Sequence, residues 1–196
     1  LLLKLLNFTL TLKRLAMIEK YLVNGNEMLL LGFGLDDDQY IKNTLLSNAK
    51  MMSVVFQHMI PRIIPHLISE ETKGHDFVSQ GRLYEMKNAT NGNGTYAANL
   101  RESRHVGSAG KKRNRFNPQK DCDYYLTQKW NSDNFYYIIT DIRNPPIIPI
   151  YIASIKELLA NDLINTKCSG SFGQIRHRNM IQIDRMSKEL EAARQF

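Results

Sequence analysis

Cysteine is scarce in this sequence. Its 196 residues include two cysteines, Cys122 and Cys168, which lie far apart in the chain. They form neither a CxxC pair nor the framework of several disulfides that staples small secreted domains. The scarcity argues against a disulfide scaffold and a CxxC metal or redox site, and we expect the protein to reside in a reducing cytoplasm.

Uninterrupted apolar runs of membrane-spanning length are absent as well. The most apolar stretch, "LLLKLLNFTLTLKRLAMIEKYL", is broken by Lys4, Lys13 and Arg14, whereas a spanning helix needs about 18 or more apolar residues. No small-residue cleavage site of a signal peptide follows. Helical spacing brings several apolar side chains of this stretch near one face, which predicts a packing or dimerisation helix. These residues are Leu5, Leu12, Leu15, Ile18 and Leu22.

Zinc and dinucleotide signatures are incomplete. None of the five histidines has a partner at the spacing of a zinc site, and the sequence assigns no role to His105 or His177. The Gly92-x-Gly94 pair lacks the third glycine and the opening helix of a dinucleotide-binding fingerprint. A zinc hydrolase and a dinucleotide-dependent enzyme are therefore disfavoured.

Acidic residues are outnumbered by basic ones. The chain has 26 Lys and Arg against 19 Asp and Glu, a formal net charge of +7 and a sequence pI of about 9.4. Such a surface favours polyanionic partners such as nucleic acid. A generally solvated basic surface is the alternative explanation.

The length and a hydrophobic content of 43% predict one domain over residues 1–196 with a single well-buried core. We predict a helical N-terminal part over residues 1–66, which is the candidate dimer interface, and a core over residues 70–184. The acids Asp36–Asp38 suit a helix start; an acidic metal-binding triplet is the alternative.

Helices and strands alternate through the rest of the chain. "QKDCDYYLTQKW" suits a crossover helix, and Ser154 is placed to cap "IKELLAND". "NFYYIITDI" and "IIPIYIAS" are typical of buried strands, and "NMIQID" suggests a late strand. This mixture predicts an α/β domain.

The stretch "HDFVSQGRLYEMKNAT" carries the candidate chemistry. With Gln80-Gly81 as a two-residue turn, Asp76 opposes Glu85 at a Cβ separation of about 4.5–5.5 Å. Lys87 projects on the same face as Glu85, because strand side chains alternate. The two carboxylates repel each other unless a cation lies between them.

That arrangement suits phosphodiester hydrolysis. Mg²⁺ prefers carboxylate oxygens, which makes Asp76 and Glu85 candidate metal ligands. A lysine beside them can orient or deprotonate water, or stabilise a phosphate oxyanion. An ordinary solvated charged hairpin is the alternative interpretation.

Asp76 followed by Glu85-x-Lys87 on the next strand resembles the PD-(D/E)xK nuclease superfamily, especially its type II restriction endonucleases. The overall arrangement is similar to the PvuII/EcoRV branch, and the resemblance covers residues 70–184. It implies a restriction-endonuclease-like core, a mixed β-sheet flanked by helices. It further implies that Asp76 and Glu85 bind Mg²⁺, that Lys87 assists attack by water, and that a homodimer cuts palindromic double-stranded DNA to leave 5′-phosphates.

Two positions qualify this resemblance. His75 stands where the family often has proline before the first acid. An upstream helical Glu joins the site in some family members, and Glu70 or Glu71 is the candidate here.

A basic excursion over residues 88–118 follows the hairpin. Residues 101–115 hold six Lys or Arg against one acid. Cationic side chains bind phosphates, whereas Asn and Arg also contact base edges. The phosphate candidates are Lys111, Lys112, Arg113 and Arg115; the base-contact candidates are Asn91, Asn93, Asn99, Arg101 and Arg104. Arg176 and Arg178 form a second basic cluster, and a solvated loop is the alternative explanation.

The sequence thus predicts a Mg²⁺-dependent, sequence-specific double-stranded DNA endonuclease. Another nuclease of the superfamily, such as a junction resolvase or repair endonuclease, is the first alternative. A non-catalytic basic DNA-binding protein is the second.

Overall fold

The structure is a computed structural model of the chain. It describes residues 19–25, 44, 48–72, 74–92, 95–101, 118–144, 146–176 and 178–185. The apolar positions Leu5, Leu12 and Leu15, and the acidic run Asp36–Asp38, lie outside these residues, so the helices predicted there stay predictions.

Eight strands form one mixed sheet. Its strands are β1 (Glu19–Asn24), β2 (Ile68–Thr72), β3 (His75–Ser79), β4 (Arg82–Gly92), β5 (Thr95–Asn99), β6 (Phe135–Asp141), β7 (Ile147–Ser154) and β8 (Gln174–Arg176). Six of them follow the order β1-β7-β6-β4-β3-β2, and β5 pairs with both β4 and β8. The pairing of β4 with β6 is parallel and the other pairings are antiparallel.

Helices cover both faces of this sheet. They are α1 (Ala49–Ile63), α2 (Pro118–Thr127), α3 (Ile155–Ala160) and α4 (residues 178–185), and a short 3-10 turn (Lys129–Asn131) follows α2. The predicted crossover helix is confirmed, since α2 lies in the connection between the parallel strands β4 and β6. The predicted cap is confirmed too, because the Ser154 hydroxyl accepts a hydrogen bond from the Glu157 amide.

The core is divided between the two faces. All seven residues of β6 are buried, as predicted for "NFYYIITDI". On one face Ile138 packs in a cluster with Phe56 of α1; on the other face Tyr137 packs with Tyr125 of α2 and Leu158 of α3. The prediction of a mixed α/β sheet flanked by helices is confirmed.

The predicted hairpin turn is confirmed. Gln80 and Gly81 both have positive φ, 48° and 75°, as expected for a type I′ turn, which matches the twist of the flanking strands. Ser79 pairs with Arg82, and Phe77 pairs with Tyr84. This register brings the acids of β3 and β4 to the same end of the hairpin.

The N-terminal helix prediction is wrong for its last residues. Glu19–Asn24 is a strand that pairs antiparallel with β7. Leu22, which helical spacing grouped with the other leucines, is 65% exposed. An edge strand in which Leu22 is exposed and the other five residues are half-buried was therefore mistaken for part of a helix.

The late strand was predicted in the wrong place. The strand is Gln174–Arg176, and "NMIQID" lies in α4. Met180 and Ile183 are fully buried while Ile181 is 41% exposed. That spacing of three fits a helix, and "NMIQID" was too short for its alternation to distinguish the two periods.

The basic excursion begins as sheet rather than loop. β4 continues to Gly92 and returns as β5, with Ala89 opposite Ala98. Ala89, Ala97 and Ala98 are buried, so small residues allow this hairpin to pack without the large apolar side chains that mark a strand.

The two cysteines are paired, which their distance in the sequence did not predict. Cys122 of α2 and Cys168 form a disulfide with Cα atoms 5.8 Å apart, within the usual range for such a bond. The chain folds back between them, which sequence distance does not reveal. The argument for a reducing compartment therefore loses its basis. Separately, no helix among the described residues is long and apolar enough to cross a membrane.

Candidate active site

Glu85 is the centre of a buried ion-pair group on the hairpin. Its side chain is 6% exposed, and Oε1 forms an ion pair with the Lys87 ammonium. Oε2 accepts a hydrogen bond of 2.7 Å from Lys129 Nζ. Lys87 therefore lies on the same face as Glu85, as predicted, and the cations on this carboxylate are lysines.

Lys129 is the residue of this group that the sequence analysis missed. It lies in the 3-10 turn after α2, 44 positions from Glu85, and its side chain is 6% exposed. Its Nζ lies 5.1 Å from the centre of the Phe135 ring and 5.9 Å from that of Tyr125. Only the fold brings this lysine to the hairpin, and no local spacing motif indicates it.

Asp76 is held separately. Its Oδ2 accepts a hydrogen bond of 2.7 Å from the Met86 amide, and its Oδ1 accepts one of 3.1 Å from Gln57 Nε2 of α1. The strand ladder ends at Phe77, one step before Asp76. The helix that contacts Asp76 and the turn that contacts Glu85 belong to opposite faces of the sheet.

The acids fit Mg²⁺ by the chemistry of their oxygens. Mg²⁺ is commonly bound through one or two carboxylates, with water and substrate phosphate completing its shell. The described part of the chain contains no group of three or more His, Cys, Asp or Glu side chains that could enclose a metal. A cation shared by Asp76 and Glu85 would compete with the hydrogen-bond and ion-pair partners that these two carboxylates have here.

The accessory acids lie differently from one another. Glu70 is on β2, and its Oε2 lies 3.4 Å from His75 Nε2. It is 46% exposed and directed at His75, the residue before Asp76. Glu71 is on the same strand, but its side chain lies outside the described residues.

The base-contact candidates Asn99 and Arg101 are engaged with each other. Asn99 Oδ1 accepts hydrogen bonds from the Arg101 amide and Nε, at 3.1 and 3.2 Å. Arg101 also donates to the Gly170 carbonyl at 3.1 Å, and burial lowers the pKa of its guanidinium. In this conformation Arg101 connects the end of β5 to the segment before β8, and Asn99 orients the Arg101 side chain.

The strand that leads into the basic excursion borders the second basic cluster. β8 pairs with β5, with Arg176 opposite Ala97, and the exposed Arg178 begins α4. Residues 95–99 and 174–176 lie far apart in the sequence, and the sheet makes these two strands neighbours. Asn91 lies on β4 without a described side chain. The candidates outside the described residues are Asn93, Arg104, Lys111, Lys112, Arg113 and Arg115.

A second charged cluster lies on the same sheet face. The register runs from Lys87 through Ile139 and Tyr151 to Lys20, which places Lys20 three strands, about 14 Å, from Lys87. Lys20 forms an ion pair with Asp184 of α4.

The phenol of Tyr151 belongs to this second cluster. Burial raises its pKa well above the ordinary value, and the charges of Asp184 and Asp141 add to the rise. Asp141 is 2% exposed and forms an ion pair with Arg143. The cluster joins β1, β6, β7 and α4.

The comparisons with known proteins give no assignment. No protein-family model, no curated protein and no solved structure matches this chain. The functional argument therefore depends on the residues and geometry described above.

Proposed function

We propose that this protein is a Mg²⁺-dependent, sequence-specific double-stranded DNA endonuclease of the type II restriction kind. Its products would be DNA ends with 5′-phosphates. The supporting observation is that Glu85 and Lys87 are in contact on one strand of a hairpin whose other strand carries Asp76. A restriction-endonuclease-like core is part of this proposal, supported by the mixed sheet and flanking helices.

The residues divide the work as follows. Asp76 and Glu85 would hold the metal through their carboxylate oxygens. When bound, Mg²⁺ supplies charge neutralisation at the phosphate and makes water more acidic. Lys87 would orient the attacking water, accept its proton or stabilise the phosphate oxyanion.

The DNA-contacting surface would start at the β5 edge. Arg176 and Arg178 are exposed there, next to the strand that leads into the basic segment. Positive charge of this kind binds duplex phosphates through counterion release. Because its substrate is DNA, we propose a cytoplasmic enzyme; cytosolic reductants would keep Cys122 and Cys168 as thiols there.

We propose that the enzyme works as a homodimer. One hairpin supplies one metal centre, whereas cutting both strands of a palindrome requires two centres related by a two-fold axis. Mixing wild-type chains with Glu85→Gln chains should give heterodimers that nick one strand. Full double-strand cutting by a complex with one chain per site would contradict this.

The cleavage assay uses a sequenced plasmid with Mg²⁺. We expect discrete fragments with 5′-phosphate ends from the wild type and from Asp133→Asn, a control at an acid that is 90% exposed. Asp76→Asn and Glu85→Gln should bind duplex and fail to cleave it. Normal cleavage by either variant would refute the proposed site, and cleavage restricted to branched or damaged DNA would indicate a resolvase or repair enzyme.

A non-catalytic DNA-binding protein is the second candidate. It is favoured by the two lysines that already neutralise Glu85, since such a group can be purely structural. Such a protein would bind duplex equally well with and without Mg²⁺ and would leave the plasmid intact.

A further inference from the structure

Lys129 has no task in the reaction proposed above, although it contacts Glu85 directly. Its Nζ lies 2.7 Å from Oε2, and both side chains are 6% exposed. A lysine is seldom this buried without a partner or a role. It occupies an oxygen that a metal ligand would have to offer.

The position of Lys129 is fixed by its neighbours. The next residue, Trp130, is 1% exposed, stacks on Phe172 at a centroid distance of 5.0 Å, and donates a 3.0 Å hydrogen bond to the Tyr137 hydroxyl. The Phe135 ring lies below the ammonium. Lys129 is therefore part of a packed core and not a mobile surface side chain.

The charges around Glu85 make metal binding conditional. In the proposed metal site Asp76 and Glu85 carry one negative charge each, and Lys87 and Lys129 carry one positive charge each, so these four charges cancel. A divalent cation is therefore attracted less strongly than it would be by two carboxylates without the lysines. A DNA phosphodiester adds a negative charge beside this neutral site and so strengthens the attraction for a divalent cation.

We infer that Lys129 couples divalent-metal binding to the presence of the DNA phosphate. This inference rests on the proposed nuclease function. Lys129 neutralises Glu85 in the free protein and disfavours the metal there. With substrate bound, the negative charge of the phosphate weakens the attraction between the ammonium and Oε2, which requires no movement of the packed lysine stem. Lys129 is thus a positioning residue that keeps the metal from binding before the substrate.

Calorimetry with Mg²⁺ tests this inference directly. The titrations use wild type, Lys129→Met and Lys129→Gln, each alone and with a pool of random-sequence duplexes carrying phosphorothioate linkages. We expect the Mg²⁺ dissociation constant of both variants without DNA to be about tenfold or more below that of wild type. Wild type should gain about tenfold in Mg²⁺ affinity on adding duplex, a normal size for coupling between sites, and the variants should gain less.

Two further variants separate the possible failures. Lys156→Met is the matched control, since Lys156 is 49% exposed and pairs with an exposed acid; it should behave as wild type. Glu85→Gln should weaken Mg²⁺ binding in every background. If it does, but the Lys129 variants match wild type, the inference is wrong and the nuclease proposal stands.

The remaining outcomes test the metal site and the coupling to DNA. If Glu85→Gln leaves Mg²⁺ binding unchanged, the metal site itself is wrong and the proposed function fails with it. Should both Lys129 variants fail to fold, the wild-type titrations decide, because equal Mg²⁺ affinity with and without duplex would overturn the coupling.

Discussion

Removal of the Glu85 carboxylate tests how much the buried ion pairs contribute to the free energy of unfolding. In Glu85→Ala, the ammonium groups of Lys87 and Lys129 lose their counter-charge at side-chain exposures of 18% and 6%. For a separation of 2.7 Å and an effective dielectric constant of about 20, the attraction to Lys129 alone is roughly 6 kcal/mol before desolvation is counted. Breaking a buried pair from one side has a net cost of about 3–5 kcal/mol.

Urea unfolding followed by circular dichroism measures this cost. A loss of about 3–5 kcal/mol corresponds to a melting temperature lowered by roughly 6–20 °C for a chain of this size. Asp133→Ala is the matched control, because it breaks the exposed pair with Lys156, where a loss of under about 1 kcal/mol is expected. Equal losses in the two variants would show that the Glu85 group contributes no more than a surface ion pair.

Three other perturbations have defined outcomes. Gly81→Ala should lose about 1–2 kcal/mol in urea unfolding, because φ is +75° there and an L residue is strained in the left-handed region. The added Cβ has nothing within 4 Å of it, so the loss would come from the backbone. The control Gly170→Ala, with equal space and no positive φ, should lose less. Burial raises the pKa of Tyr151 above 10.0, so the stability contributed by its neutral phenol is complete below that pH and is lost as pH rises toward the folded-state pKa. In melts at increasing pH, the stability of Tyr151→Phe should therefore fall less than that of Tyr124→Phe, which retains Tyr151. Reductant should destabilise the wild type by up to about 4 kcal/mol, because a disulfide spanning 46 residues lowers the entropy of the unfolded chain. It should leave melts of Cys168→Ser unchanged. An unchanged wild-type melt would show that the bond is absent.

The hairpin was predictable because its information is local. The turn residues Gln80-Gly81 specify the register, and the alternation of strand side chains places Glu85 and Lys87 on the same face. The buried strand Phe135–Asp141 was predictable for the same reason, since a short apolar run bounded by turn residues has few other structures available.

The missed features depend on distant residues. Lys129 contacts Glu85 because α2 and the turn after it pack on the sheet face that carries Glu85. Cys168 contacts Cys122 because the chain folds back over 46 residues. Leu22 was assigned to a helix because an edge strand with mixed exposure carries no clear period of two. Predicting each of these features correctly would have required knowing which distant element packs against it.

The same ion pairs would exist in a protein that uses them only for folding, so stability alone cannot separate the two candidate functions. Replacing a buried pair by apolar residues is often neutral or stabilising, whereas removing one member is costly. The double variant Glu85→Met with Lys129→Met should therefore recover most of the stability that Glu85→Met loses by itself. If the group serves folding only, DNA binding and its response to Mg²⁺ should match wild type in this double variant. If it is the metal site, the refolded double variant should bind duplex, show no Mg²⁺ heat in calorimetry and leave plasmid uncut. Cleavage by the double variant at the wild-type rate would remove Glu85 from the active site.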